Sequence, residues 1–146
     1  MIQIWIDGRC FGPKGSGFAV KMLGGVSWVR TVSCAKLTTN QTEIKALEYA
    51  LLSVAPAFQA DKIEIISSGK YAVFMLEKRL DQSTTPPSLN WARKPANNPA
   101  LIGRIREIYS RFKDISIRCE EDETVEMLKT LNEKAVKKRL VVFDRK

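Results

Sequence analysis

Two acidic residues sit where their chemistry could matter. Asp7 follows the alternating run Ile2, Ile4, Ile6 and ends the first expected strand. On a mixed sheet, a carboxylate at a strand's carboxyl end lies where ligands bind. The pair Asp7-Gly8 also has a plain reading as a turn. Glu43 falls in the first turn of a helix expected to open at Asn40. The spacing Asn40-x-x-Glu43 reads equally well as a capping box. The chain contains no histidine, which excludes histidine-based triads and imidazole metal sites. Cys10, Cys34 and Cys119 are odd in number and far apart, so neither a disulfide framework nor a zinc knuckle is expected. They read as small buried or half-buried thiols.

The elements that must carry these residues follow from periodicity. Residues 2–7 alternate as a strand. A Gly-rich turn follows, with Gly8, Gly12, Gly15 and Gly17 around Pro13. Residues 18–23 and 26–34 read as two more strands joined at the hairpin signal Gly24-Gly25. Ile44, Leu47, Ala50, Leu51 and Val54 then repeat with helical spacing, with Asn40 as cap and Pro56 as stop. Residues 62–67 give a fourth strand and about 69–80 a helix. Residues 81–99, rich in Ser, Thr and Pro, read as a surface loop. A helix through Leu101, Ile105, Ile108 and Phe112, a strand over 115–119 and a helix over 124–138 complete the pattern, with Leu140 to Phe143 as a short apolar tail. The order β-β-β-α-β-α-α-β-α implies an α/β domain with a five-stranded mixed sheet flanked by helices. The first and fourth strands should be central.

The chain is 146 residues long, enough for one domain with a sizeable core over 1–146. No apolar run is long enough to span a membrane, and the N-terminus lacks the layout of a signal peptide. A cytoplasmic location is the default expectation. Lys and Arg number 24 against 16 for Asp and Glu, a formal charge of +8. Such an excess suits a polyanion partner, because each phosphate contact releases condensed counterion.

Taken in order, Asp7-Gly8 with the hairpin to Gly17, then Thr38-Thr39-Asn40-Gln41-Thr42-Glu43-Ile44 and Ala46-Leu47, resembles the ribonuclease H type 1 family, its archaeal-like branch above all. Asn98-Pro99 ahead of a helix ending at Arg111-Phe112 resembles the same branch. The resemblance implies a ribonuclease H-like fold. It also implies cleavage of the RNA strand of RNA–DNA hybrids with two divalent metals, Mg²⁺ or Mn²⁺, held by four carboxylates. Two metals about 4 Å apart clamp the attacking water and the leaving oxygen. Asp7 and Glu43 match the first two carboxylates and are the expected metal ligands. The third position carries Ser68, in Ser67-Ser68-Gly69, where the family has Asp. The fourth falls on Glu126, Lys129 or Asn132, depending on the gap. Only Glu126 is a carboxylate, and Val125-Glu126-Met127-Leu128 is similar to the family's Ala-Asp-Ala-Leu. The histidine often found after the fifth strand is replaced by Cys119-Glu120-Glu121-Asp122-Glu123.

The same resemblance points Asn40 and Gln41 at the minor groove of a hybrid, where 2′-hydroxyls are exposed. Arg9, Phe11 and Lys14 could approach the phosphate backbone. Trp91 with Arg93 and Lys94 mixes an aromatic with basic residues, as nucleic-acid surfaces do. Lys134, Lys137, Lys138 and Arg139 make a basic run that reads as a solvated helix face. Three functions fit: a binder of RNA–DNA hybrid or other duplex with absent or weak cleavage, an active nuclease using Asp7, Glu43 and Glu126, or a protein-interaction module. Ser68 is either a natural loss or an introduced inactivating change.

Overall fold

In the computed structural model, residues 1–34, 37–59, 61–81 and 99–144 are described. Five strands form one sheet: β1 (Ile2–Cys10), β2 (Ser16–Leu23), β3 (Trp28–Cys34), β4 (Lys62–Ser67) and β5 (Asp114–Cys119). Their spatial order is β3-β2-β1-β4-β5. The β1–β2 and β2–β3 pairs are antiparallel, while β1–β4 and β4–β5 are parallel. This is the expected mixed sheet, with β1 at its centre and β4 beside it. Four helices pack on it: α1 (Thr39–Leu52), α2 (Tyr71–Asp81), α3 (Pro99–Tyr109) and α4 (Glu123–Asp144).

The period of two along β1 decides which face each residue serves. Ile2, Ile4 and Ile6 join the main core with Ile44, Leu47, Leu51, Met75, Leu101 and Ile105, beneath α1, α2 and α3. Trp5 points the other way, into a small cluster with Ala19, Ile66, Val125 and Leu128 beneath α4. Asp7 shares the parity of Trp5 and therefore faces α4. On β4 the same rule places Ser67 toward α1, and Ser68, one residue past the strand, turns to Asp7.

Several boundaries differ from the sequence reading. Asp7 does not end its strand, because the antiparallel ladder with β2 runs on to Cys10↔Ser16. It stands instead one residue past Ile6↔Ser67, where the parallel partner β4 leaves. A turn role for Asp7-Gly8 is thereby excluded. The cap of α1 is Thr38, not Asn40: its side chain accepts from Gln41 N, and Gln41 returns to the Thr38 N–H. The box thus sits two residues earlier, and Glu43 is released from any capping role in its own helix. Helix α1 ends at Leu52, ahead of a 3-10 turn at Pro56–Phe58. Helix α3 stops at Tyr109, so Arg111 and Phe112 lie beyond it. The apolar tail 140–143 continues α4 as helix rather than following it. Cys10 is exposed, against expectation, while Cys34 and Cys119 are partly buried.

Candidate functional site

The site lies where β1 and β4 part, with α1 on one face and α4 on the other. Asp7 is completely buried. Both of its oxygens are met by donors from three elements. Ser68 Oγ donates to Oδ1 at 2.5 Å. Arg9 Nε donates to the same oxygen at 3.3 Å. Asn132 Nδ2, from α4, donates to Oδ2 at 2.9 Å and also to the Gly17 carbonyl at 2.9 Å. Two acceptors on one amide nitrogen fix the orientation of the Asn132 side chain. Its Oδ1 is buried with no hydrogen-bond partner among the described residues. Charge-assisted hydrogen bonds of this kind are stronger than neutral ones. Asp7 is therefore a buried strut tying β1, β4 and α4 together.

Glu43 plays a different part. It is 3% exposed, and its Oε1 accepts from Ala72 N at 2.8 Å, in the first turn of α2. Ser67 Oγ donates to the same oxygen at 3.4 Å. Glu43 thus satisfies an otherwise orphaned donor at the start of α2, where helix geometry favours negative charge. Burial pushes its carboxyl above the ordinary glutamate value. The Ala72 and Tyr71 N–H groups and the Ser67 hydroxyl oppose that shift, and the charge of Asp7 adds to it. Gly8 and Gly69 let this crowding happen. A side chain at Gly8 would strike the backbone of Glu43, and one at Gly69 would strike its carboxylate.

Of the three candidates on α4, Asn132 is the one that meets Asp7. Glu126 is six residues earlier on α4, about 9 Å along the axis and most of the way to the opposite side. Its side chain is 61% exposed and lies 3.4 Å from Lys129 Nζ. Lys129 also lies 3.7 Å from Glu121 Oε1. The resemblance chose Glu126 for its chemical type, whereas the helix presents Asn132 to Asp7.

The donor set does not fit a two-metal centre. The two-metal centre that the resemblance implies calls for four carboxylates, whereas this corner offers two, with neutral Ser68 and Asn132 beside Asp7. Two carboxylates cannot balance two divalent cations. The lone pairs of Asp7 that would ligate a cation already receive an O–H and N–H groups. Among the described residues no cluster of three or more acidic, cysteine or histidine side chains is arranged to hold a metal.

Other expected residues fall around the same end of the sheet. Arg9 lies one residue before the end of β1, its side chain 39% exposed. Phe11 is half-buried and Lys14 exposed, in the 3-10 turn joining β1 to β2. That turn is tied to α1 by Cys10 N donating to Thr39 Oγ1 at 3.0 Å. Asn40 is exposed in the first turn of α1. Gln41 spends its side-chain oxygen on the helix cap. Trp91, Arg93 and Lys94 lie outside the described residues. Lys134, Lys137 and Lys138 are exposed along α4, with Lys137 paired to Glu133 at 3.0 Å.

Two residues of the site escaped the sequence reading. Lys70 is exposed and lines an open groove of about 340 Å³ with Asn40, Tyr71 and Phe74. The stretch Ser67-Ser68-Gly69-Lys70 carried the signal, since Lys70 stands only two residues from Ser68. Cys119 packs against the same corner, its thiol donating to the Ser68 carbonyl at 3.7 Å. Burial holds that thiol above its usual range, and the nearby Glu43 charge acts in the same direction.

Solved structures share this arrangement of strands and helices. LC11 RNase H1, in complex with RNA/DNA hybrid, superposes with a TM-score of 0.74 at 19% identity, covering 96% of this chain and 99% of that one. The fold is that of ribonuclease H. RNase H1 from the halophilic archaeon Halobacterium salinarum NRC-1 is similar at 25% identity, with a TM-score of 0.62 and coverage of 92% and 96%. The foamy viral protease-reverse transcriptase in complex with dsDNA matches with a TM-score of 0.73 at 16% identity, over 91% of this chain and 92% of that one. No protein-family model and no curated protein matches the chain. The ribonuclease H fold explains why β1, β4, α1 and α4 converge on Asp7.

Proposed function

We propose that this chain, acting as one domain over residues 1–146, binds RNA–DNA hybrid or another duplex and leaves it uncut. One observation carries the reading: Asp7, central to the site, is buried and accepts from Ser68, Asn132 and Arg9. Each of those donors competes with a metal ion, or with the proton of an attacking water, for the carboxylate's lone pairs.

Binding has separate support. The formal charge is +8, which favours a polyanion. Asn40 and Lys70 border one open groove beside the site. Asn40 offers both a donor and an acceptor, as recognition of 2′-hydroxyls and minor-groove edges requires. Gln41 offers its amide N–H groups alone, because its oxygen is held in the cap. Two structures of this fold contain nucleic acid, one RNA/DNA hybrid and one dsDNA.

The test is a gel assay with labelled RNA–DNA hybrid, with Mg²⁺ or Mn²⁺, beside a binding titration over a range of salt. Salt-sensitive binding without cleavage is the expected result. Cleavage that disappears in Asp7→Asn would instead make the chain a metal-dependent endoribonuclease. Absence of salt-sensitive binding to hybrid, duplex and single strand would leave the fold as a protein-interaction module.

A further inference from the structure

The positive charge that metals would bring to this corner has a counterpart in the chain itself. Arg9 uses Nε on Asp7, and its terminal guanidinium nitrogens make no hydrogen bond among the described residues. Arginine carries five donors in a rigid fork, so most of them remain available. Lys70 is exposed beside the Asn40 groove, and its ammonium makes no ion pair among the described residues. Its backbone follows Gly69, which is pressed against the Glu43 carboxylate.

Exposure decides which sign of charge a ligand meets. Asp7 is 0% exposed and Glu43 3%, while the Arg9 side chain is 39% exposed. A ligand approaching the corner therefore meets the cations first. The exposed acidic groups nearby, Glu121 and Glu126, are partly neutralised by Lys129, at 3.7 and 3.4 Å. Glu133 on α4 is paired with Lys137. Lys129 is thereby committed, whereas Lys70 makes no ion pair among the described residues and Arg9 commits only its Nε, to Asp7.

We infer that Arg9 and Lys70 hold a backbone phosphodiester of the bound nucleic acid directly, without a divalent cation. This deepens the proposed function and rests on it. Arginine suits the bidentate geometry of phosphate oxygens, and lysine acts as a point charge beside it. Asn132 and Ser68 then serve the fold, by satisfying Asp7, rather than the ligand.

The experiment titrates labelled hybrid into the full chain in EDTA and in Mg²⁺, across a salt series. Binding should survive EDTA undiminished. Lys70→Ala should weaken it several-fold and lower the slope of log affinity against log salt by about 1. Arg9→Ala should do the same. Lys70 is exposed, so its variant tests the claim without disturbing the core. Lys134→Ala, on an exposed face of α4, is the control for general charge. Melting temperature with and without Mn²⁺ is read in parallel. Wild type should not respond, whereas Ser68→Asp/Asn132→Asp should melt lower in EDTA and recover with Mn²⁺.

Loss of binding in EDTA overturns the inference, as does a Lys70→Ala slope equal to that of wild type. An equal loss in Lys134→Ala overturns it too, by showing only diffuse charge. In each of those cases hybrid binding itself still stands. Failure to bind any nucleic acid removes the proposed function as well. A thermal shift with inorganic phosphate alone that depends on Lys70 would place a free anion there and overturn the backbone assignment.

Discussion

Carboxylates cluster in two regions of this molecule, and their fates are opposite. Where β1 and β4 part, Asp7 and Glu43 are buried and accept hydrogen bonds from neighbouring elements. Across the start of α4, Glu120, Glu121, Glu123 and Glu126 are exposed and make at most surface ion pairs. Asp122 stands between the two cases: half-buried, it caps α4 and accepts from Trp5. Near neighbours in type thus differ in worth because burial sets the cost of an unmet partner. If that account is right, removing each carboxylate should cost stability in the order of its burial and its committed donors.

Below Asp7 in that order, the largest effect belongs to Glu43. Glu43→Ala leaves the Ala72 N–H buried without its acceptor and opens a void beside Gly69. We expect a loss of about 3 kcal/mol, from the missing contacts and the orphaned donor together, read by urea denaturation. Glu43→Gln separates charge from shape, because its oxygen can still accept from Ala72. The sign with pH follows from the raised carboxyl. Between the ordinary glutamate value and the raised folded value, the native state binds more protons than the unfolded chain. Stability of the wild type should therefore fall as pH rises through that window. Glu43→Gln should flatten that fall and match or exceed wild type at neutral pH. A Gln variant as damaged as the Ala variant at every pH would show that the charge itself is required.

The middle of the scale is Asp122. Its Oδ1 accepts from Val125 N at 2.8 Å, and its Oδ2 accepts from Trp5 Nε1 at 3.2 Å. The first contact caps α4, and the second ties that helix to the central strand. Asp122→Ala should cost about 1 kcal/mol as a lost cap. Because α4 also carries Asn132, amide exchange should rise in its first turns before it rises elsewhere. Uniform protection across α4 in the variant would mean that Val125 and Leu128 alone hold the helix down.

The fold was legible because its information is periodic. Ile2, Ile4 and Ile6 announce a strand, and the spacing of Ile44, Leu47 and Leu51 a helix, whatever their partners do. The ends of elements were less legible. Asp7 looked terminal because nothing local says that β1 outlasts its pairing with β4. Asn40 looked like a cap because Thr38, Thr39 and Asn40 are all good caps, and only the Thr38–Gln41 reciprocity separates them. Within the site, Asp7, Glu43 and Ser68 could be named because the β1–β4 pairing stops, α1 opens and β4 ends there. The position on α4 could not, since a gap of six residues turns the helix to another face. Lys70 went unread because an exposed lysine carries no pattern until a groove forms beside it.

The smallest effect should be at Glu126, and it is the sharpest check of the contrast. Its resemblance to a catalytic carboxylate rests on Val125-Glu126-Met127-Leu128, yet its side chain is 61% exposed. Its ion pair with Lys129 is a surface pair at i, i+3, worth well under about 1 kcal/mol and screened by salt. Glu126→Ala should change stability by no more than about 0.5 kcal/mol. Removing a negative charge from the rim should leave hybrid affinity equal or slightly higher. If Glu126→Ala instead weakened binding or proved as costly as Glu43→Ala, exposure would be the wrong guide to these carboxylates. Glu126 would then act on the ligand from outside the buried pocket, and the division between the two regions would fail at the residue chosen to mark it.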